Sequence, residues 1–138
     1  MDKYYTPEIS EFFVGFEYET LYLQDYDTWK KEILEEDDAG YFQSIYSGDA
    51  IPTEFRVKYL DKEDIESLGW EFIKQHPGTT SFDFEKEEYS LNFDPEFGSK
   101  WNLRIYDGED QDSEFNYFSG YVKNKSELIK LLKQLQIG

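Results

Sequence analysis

The sequence contains no cysteine and a single histidine among its 138 residues. Without cysteine, the chain can build neither a disulfide framework, nor a thiolate metal site, nor a cysteine nucleophile. The histidine, His76, precedes Pro77 and Gly78 in a sequence typical of a turn, and no second imidazole is present to complete a zinc site. We therefore expect His76 to be a surface turn residue, and we predict no metal and no cofactor.

Long apolar runs are also missing, since no stretch approaches the roughly 20 apolar residues that a membrane helix needs. The N-terminal residues lack the basic segment followed by an apolar segment that marks a secretory signal peptide. The glycines are dispersed at turns and do not form the glycine-rich loop that cradles phosphate. These absences predict a cytoplasmic protein that spans no membrane and is not a nucleotide enzyme.

Basic residues are few, with 14 lysines and arginines against 31 aspartates and glutamates, and the formal net charge is −17. A field of this sign repels phosphate backbones and anionic membrane surfaces, so we expect no direct binding to nucleic acid or membrane. The charge is uneven, because residues 123–138 carry four lysines and one glutamate, which leaves −20 on residues 1–122. The sequence thus predicts an acidic surface with one basic face.

Aromatic residues are abundant and make up 20% of the chain. Each can bury on the order of 150–250 Å² in a core, and disordered acidic tails do not have this composition. A chain of this length falls at the commonest size for one domain. We therefore predict a single acidic folded domain over residues 1–138.

Hydrophobic periodicity predicts many short strands. The period of two that is typical of strands recurs at 12–22, 29–33, 55–59, 70–74, 81–87, 89–93, 101–106 and 115–122. In the first of these segments, we expect the even-numbered residues to face the core.

Two helices are predicted from capping signals and from spacing. Asp61 is followed by Asp64, and Asn124 by Glu127, as in a capping box. After Asn124, leucines recur at helical spacing at positions 128, 131, 132 and 135. We predict an α+β fold, a mostly antiparallel sheet of about six or seven strands with a short inserted helix and a C-terminal amphipathic helix.

Three strings span most of the chain: YTPEISEFFVGFEYE, FRVKYLDKEDIESLGW and FSGYVKNKSELIKLLKQLQI. With them the chain resembles a group of small uncharacterised proteins from bacteriophage genomes and prophages, which has no known activity. The acidic segments at 35–38 and 107–114 are richer in charge than this resemblance leads us to expect. The resemblance implies a phage setting, hence the host cell cytoplasm, and no mechanism.

Catalysis and metal binding each have one candidate set. Glu17 and Glu19 lie two positions apart on one face of a predicted strand, where an acid–base pair could act. We favour the interpretation that they are solvated residues on an exposed sheet face. The carboxylates of segment 107–114 could offer oxygens to Ca²⁺, but their spacing lacks the glycine and glutamate positions of an EF-hand loop. The chain is therefore predicted not to be an enzyme.

The predicted function is that of a non-catalytic phage-type protein that binds, and thereby inhibits, a protein partner such as a host-defence factor. One form of this hypothesis is nucleic-acid mimicry, in which carboxylates occupy phosphate positions on a basic groove. Tyrosines beside carboxylates form the kind of surface that protein interfaces favour. The candidate interaction residues are Glu17, Glu19, Asp37, Asp38, Tyr41, Tyr46, Asp107, Glu109, Asp110, Asp112, Glu114 and Tyr117.

Two other classes of function stay open. In a virion or assembly component, the basic C-terminal helix would dock against an acidic subunit. In a small-ligand-binding or sequestering protein, aromatic side chains would line a pocket. The sequence does not discriminate between these classes and the inhibitor hypothesis.

Overall fold

The structure is a computed structural model, and it describes residues 3–22, 28–36, 53–96, 101–108 and 116–138. The chain divides into two compact units, Met1–Tyr59 and Leu60–Gly138. Each unit has its own antiparallel sheet and its own hydrophobic core. The single domain expected over residues 1–138 stays a prediction.

The first unit contains a four-stranded antiparallel sheet with the order β1-β4-β2-β3. Its strands are β1 (Tyr4–Tyr5), β2 (Glu17–Tyr22), β3 (Lys30–Ile33) and β4 (Thr53–Lys58), and a 3-10 helix (Ile9–Glu11) lies between β1 and β2. In β2, Tyr18 and Thr20 are buried and Glu17 is exposed. Within β2 the even-numbered face is therefore the core face, as the alternation predicted, but the prediction is wrong for Val14, which precedes the strand and is 60% exposed.

The core of the first unit is largely aromatic, with Phe16, Tyr18 and Phe55 among its buried members. The Phe12 ring packs against it, with its centroid 4.9 Å from that of Phe16. The alternation predicted a strand from Phe12, but β2 begins only at Glu17. The reason is a turn: Gly15 takes a φ of 97°, and the Phe16 N–H donates to the Phe13 carbonyl at 2.9 Å.

The second unit is a five-stranded antiparallel meander with the order β5-β6-β7-β8-β9. Helix α1 (Lys62–Ser67) precedes the strands β5 (Glu71–Gln75), β6 (Phe82–Lys86), β7 (Tyr89–Phe93), β8 (Leu103–Asp107) and β9 (Asn116–Gly120), and helix α2 (Lys125–Gln134) follows them. Ile65 from α1 and Leu128 from α2 belong to one buried cluster with Phe84 of β6. The predicted α+β class is confirmed, and the described residues hold nine strands in two sheets.

Both helices begin at the predicted caps. The Asp61 carboxylate accepts from the Asp64 N–H at 2.8 Å, and the Asp64 carboxylate accepts from the Asp61 N–H at 3.3 Å. Asn124 Oδ1 accepts from the Glu127 N–H at 2.8 Å, whereas the Glu127 carboxylate accepts from the N–H of Lys123. These bonds satisfy N–H groups that a helix start leaves without intrahelical partners, which is why local sequence predicts the starts well.

Candidate functional site

Four of the twelve predicted interaction residues lie within the described ranges: Glu17 and Glu19 in the first unit, Asp107 and Tyr117 in the second. The other eight lie outside the described residues: Asp37, Asp38, Tyr41, Tyr46, Glu109, Asp110, Asp112 and Glu114. The described candidates therefore form two pairs, one in each unit.

Glu17 and Glu19 share the outer face of the first sheet, but Glu19 is engaged in an ion pair. Its Oε1 lies 3.2 Å from Nη2 of Arg56, its register partner on β4. The Arg56 guanidinium also lies 3.8 Å from the ring centroid of Tyr4 and 4.2 Å from that of Trp29. A guanidinium between two aromatic faces is attracted by both ring quadrupoles. We call Tyr4, Glu19, Trp29 and Arg56 the Arg56 stack. Within it, Arg56 is the ion-pair partner of Glu19.

Asp107 and Tyr117 meet at one end of the second sheet through Tyr89, the first residue of β7. Tyr89 is the register partner of Asp107, and its ring centroid lies 5.3 Å from that of Tyr117 in an edge-on contact. Tyr117 is 48% exposed, so part of this aromatic pair is accessible to a partner. The structure thus brings together one predicted carboxylate and one predicted tyrosine.

The turn between β6 and β7 lies at the same end and is acidic. Lys86 pairs with Tyr89, so Glu87 and Glu88 form the whole turn, and Glu87 takes a φ of 56°. The Gly108 N–H donates to the Glu88 carbonyl at 2.9 Å, which ties this turn to the end of β8. Sequence reasoning missed both glutamates, because the predicted strands 81–87 and 89–93 included Glu87 and left Glu88 alone between them, whereas the strand ends at Lys86. We call Glu87, Glu88, Tyr89, Asp107 and Tyr117 the acidic end.

Electrostatics at the acidic end favour a cationic partner. Partial burial raises the pKa of Tyr89, and the neighbouring Glu88, Tyr117 and Glu87 raise it further. Glu87, Glu88 and Asp107 add three carboxylate-bearing residues at this end of the sheet. Clustered carboxylates of this kind attract basic side chains, and exposed tyrosines supply apolar contact area with a polar tip.

The outer face of the second sheet carries a polar cluster that sequence reasoning also missed. Asp83 accepts a hydrogen bond from Asn92 Nδ2 at 2.8 Å, and its other oxygen lies 2.8 Å from His76 Nε2. The Asn92 amide also donates to Ser81 Oγ at 2.8 Å. His76 stands at the edge of its turn, as predicted, but its imidazole is held by a carboxylate on the next strand.

Tyr106 lies on the same outer face and gives the second unit a pH-dependent contribution. Partial burial raises the pKa of Tyr106, the carboxylates of Asp83 and Glu85 add to the rise, and Arg104 and a hydrogen bond with Ser90 oppose it. The unfolded-state pKa is about 10. Since the folded-state pKa is higher, the stability linked to the neutral phenol is complete below pH of about 10 and is lost as pH rises through the folded-state pKa.

We expect Tyr106→Phe to reduce the alkaline decline in the free energy of unfolding, because phenylalanine has no proton to lose. Urea unfolding at a series of pH values above neutrality measures this decline. Tyr121→Phe is the control, since Tyr121 is 53% exposed. An alkaline decline that is as steep in the Tyr106 variant as in the unsubstituted chain would contradict the prediction.

Comparison of the chain with protein-family models, with curated proteins and with solved structures finds no match. The phage resemblance therefore stays a prediction. Within the described ranges, neither helix is long and apolar enough to cross a membrane. In the same ranges, no three or more His, Asp and Glu side chains are grouped so that they could hold a metal ion.

Proposed function

We propose that this chain is a non-catalytic, phage-type interaction protein that binds a basic protein partner in the host cytoplasm and thereby inhibits it. The binding surface is the acidic end of the second sheet. The observation that carries this proposal is the strand register, which sets the Glu87-Glu88 turn beside Asp107 and next to the Tyr89–Tyr117 pair.

Charge and aromatic surface have separate roles in this binding. The net charge of −17 attracts a basic partner over long range and raises the association rate, an effect that salt screens. Close contact then depends on groups that exclude water, and tyrosine is among the residues that dominate interface energies. Tyr117 offers such a group at the acidic end, because about half of it is exposed.

The most specific form of the proposal is nucleic-acid mimicry, with a nucleic-acid-binding host-defence factor as the partner. Duplex DNA carries one charge per roughly 1.7 Å of its axis, so a mimic must present several carboxylates close together. The strand register brings three carboxylate-bearing residues, Glu87, Glu88 and Asp107, to one end of the sheet. Affinity that depends on such contacts falls steeply between about 50 and 200 mM salt.

Capture from a bacterial host lysate on the immobilised chain, followed by mass spectrometry, tests the proposal. We expect the triple variant Glu87→Gln, Glu88→Gln, Asp107→Asn to bind the captured partner about tenfold or more weakly, which corresponds to about 1.4 kcal/mol. The matched control is Glu36→Gln, Glu54→Gln, Glu96→Gln, which removes three exposed carboxylates elsewhere.

Two outcomes would count against this function. Equal loss of binding in the triple variant and in the matched control would mean that net charge, and not the acidic end, governs capture. Binding that does not change between low and high salt would reject mimicry, because counterion release is then absent. Glu87 and Glu88 are exposed and Asp107 is half-buried. An unfolding transition of the triple variant that matches that of the unsubstituted chain establishes that folding is intact.

A further inference from the structure

Strand β5 is an edge strand, and β6 is its one neighbour among the strands that the structure describes. All five of its residues are exposed, including the apolar Phe72 at 37% and Ile73 at 42%. An edge strand presents backbone N–H and C=O groups that can pair with another strand. Apolar side chains exposed along such an edge favour pairing over solvation.

A β-bulge decides which residues of β5 share a face. Glu71 pairs with Glu85 and Lys74 pairs with Asp83, and the register shifts between Phe72 and Lys74. Because Glu85 and Asp83 are two positions apart on β6, they point to the same face, and so do their partners. Without the extra residue, the side chains of Glu71 and Lys74 would point to opposite faces.

This arrangement makes β5 complementary to itself. When two β5 strands pair antiparallel about a two-fold axis, Glu71 of each copy can lie opposite Lys74 of the other. Phe72 then lies beside Ile73 of the second copy. Cross-strand pairs of opposite charge and of apolar side chains both stabilise a sheet. Bulges often keep edges from pairing, but here the bulge aligns the charges that a second copy needs.

Within its own sheet, Glu71 has an unfavourable neighbour. Its register partner is Glu85, and like charges directly opposite each other destabilise a strand pair. A cation on the open side of β5 would offset this repulsion. Lys74 of a second copy is placed to supply that cation.

We propose that the chain forms a two-fold dimer by antiparallel pairing of β5 with β5 of a second copy. The contact is small, because a strand of five residues cannot reach the roughly 1,200–2,000 Å² that stable interfaces bury. Each copy also carries a charge of −17, which opposes association. The dimer is therefore weak and depends on concentration.

Sedimentation equilibrium of the whole chain over roughly 10 μM to 1 mM, at physiological ionic strength, tests the dimer. The average mass is expected to rise from 16.5 kDa toward twice that value. Glu71→Lys alone and Lys74→Glu alone place like charges opposite each other at both pairs, so each variant is expected to stay monomeric. An equimolar mixture of the two variants is expected to dimerise, because the two chains then present opposite charges to each other.

Lys133→Glu is the matched control, since it makes the same change of charge on an exposed residue of α2. It is expected to dimerise more strongly than Lys74→Glu, because the two variants have the same net charge and only Lys74→Glu alters the pairing strand. Hydrogen exchange locates the contact, with protection of the β5 amides expected to rise with concentration. A chain that stays monomeric throughout, a mixture no more associated than its components, or association without β5 protection would each overturn the proposal.

Discussion

Replacing Phe84 by alanine is expected to lower the free energy of unfolding of the second unit by about 3–5 kcal/mol. Phe84 lies in the middle of β6 and is fully buried, with Leu91 as its register partner on β7. Removing the ring takes away the free energy gained by burying it and leaves a cavity. The close-packed side chains around that cavity can fill it only in part. The measurement is urea unfolding followed by tryptophan fluorescence at low protein concentration.

Phe72→Ala is the control for this prediction, because it removes the same ring from the neighbouring strand where 37% of the residue is already exposed. We expect Phe72→Ala to lower the free energy of unfolding by less than half as much as Phe84→Ala does. A partly exposed ring contributes less burial free energy, and its removal leaves no closed cavity. Equal losses in the two variants would contradict the assignment of Phe84 to the centre of the core.

Hydrogen exchange resolved along the chain tests the single-domain prediction, which requires residues 1–59 to lose protection together with residues 60–138.

Replacing Arg56 by alanine is expected to lower the free energy of unfolding by about 2–3 kcal/mol. The variant loses the contacts with the rings of Tyr4 and Trp29, and it leaves the Glu19 carboxylate without its cation. The Glu19 side chain is 15% exposed, so water restores only part of what the guanidinium provided. Equilibrium unfolding in urea measures the loss.

Two further substitutions identify the origin of that effect. Arg56→Lys keeps the charge but not the planar group that stacks between rings, so we expect an intermediate loss. Glu54→Ala, on the same strand and exposed, is expected to change stability by no more than about 0.5 kcal/mol. A lysine variant as stable as the unsubstituted chain would mean that charge alone, and not stacking, stabilises this face.

The large number of aromatic residues is explained by the division into two cores. From sequence, twelve phenylalanines and twelve tyrosines exceed what the core face of one small sheet requires. The first unit has its own core, in which Phe12 and Phe13 pack against a buried group that includes Phe16 and Tyr18. Each of the two cores requires its own set of large apolar side chains, so the chain holds more aromatic residues than the core face of one small sheet would need.

The helix starts and most strands could be predicted because the signals are local. A cap and its bonded N–H are three residues apart at Asp61 and at Asn124, so the sequence contains both partners side by side. The start of β2 was predicted too early because alternation continues through a turn at Gly15. Periodicity reports which residues are apolar, and it does not report where the backbone changes direction.

The candidate sites could be predicted only in part, because they depend on strand register. Glu19 and Asp107 were identified from sequence, but the ion pair of Glu19 with Arg56 joins residues 37 positions apart. The Glu87-Glu88 turn belongs to the acidic end because β7 pairs with β8 there, and the Gly108 N–H at the end of β8 donates to the Glu88 carbonyl. No local pattern contains that information.

By itself, the sequence determined the α+β class, the two helix starts, the buried face of β2 and the acidity of the chain, since each follows from residue type and spacing along a short segment. The tertiary structure alone decided the division into two cores, the ring partners of Arg56 and the gathering of Glu87, Glu88 and Asp107 at one end. It also decided that Glu71 and Lys74 share a face, because one bulge residue inverts the alternation that spacing predicts. Contacts between distant segments depend on register, and register is set by the packing of the whole sheet.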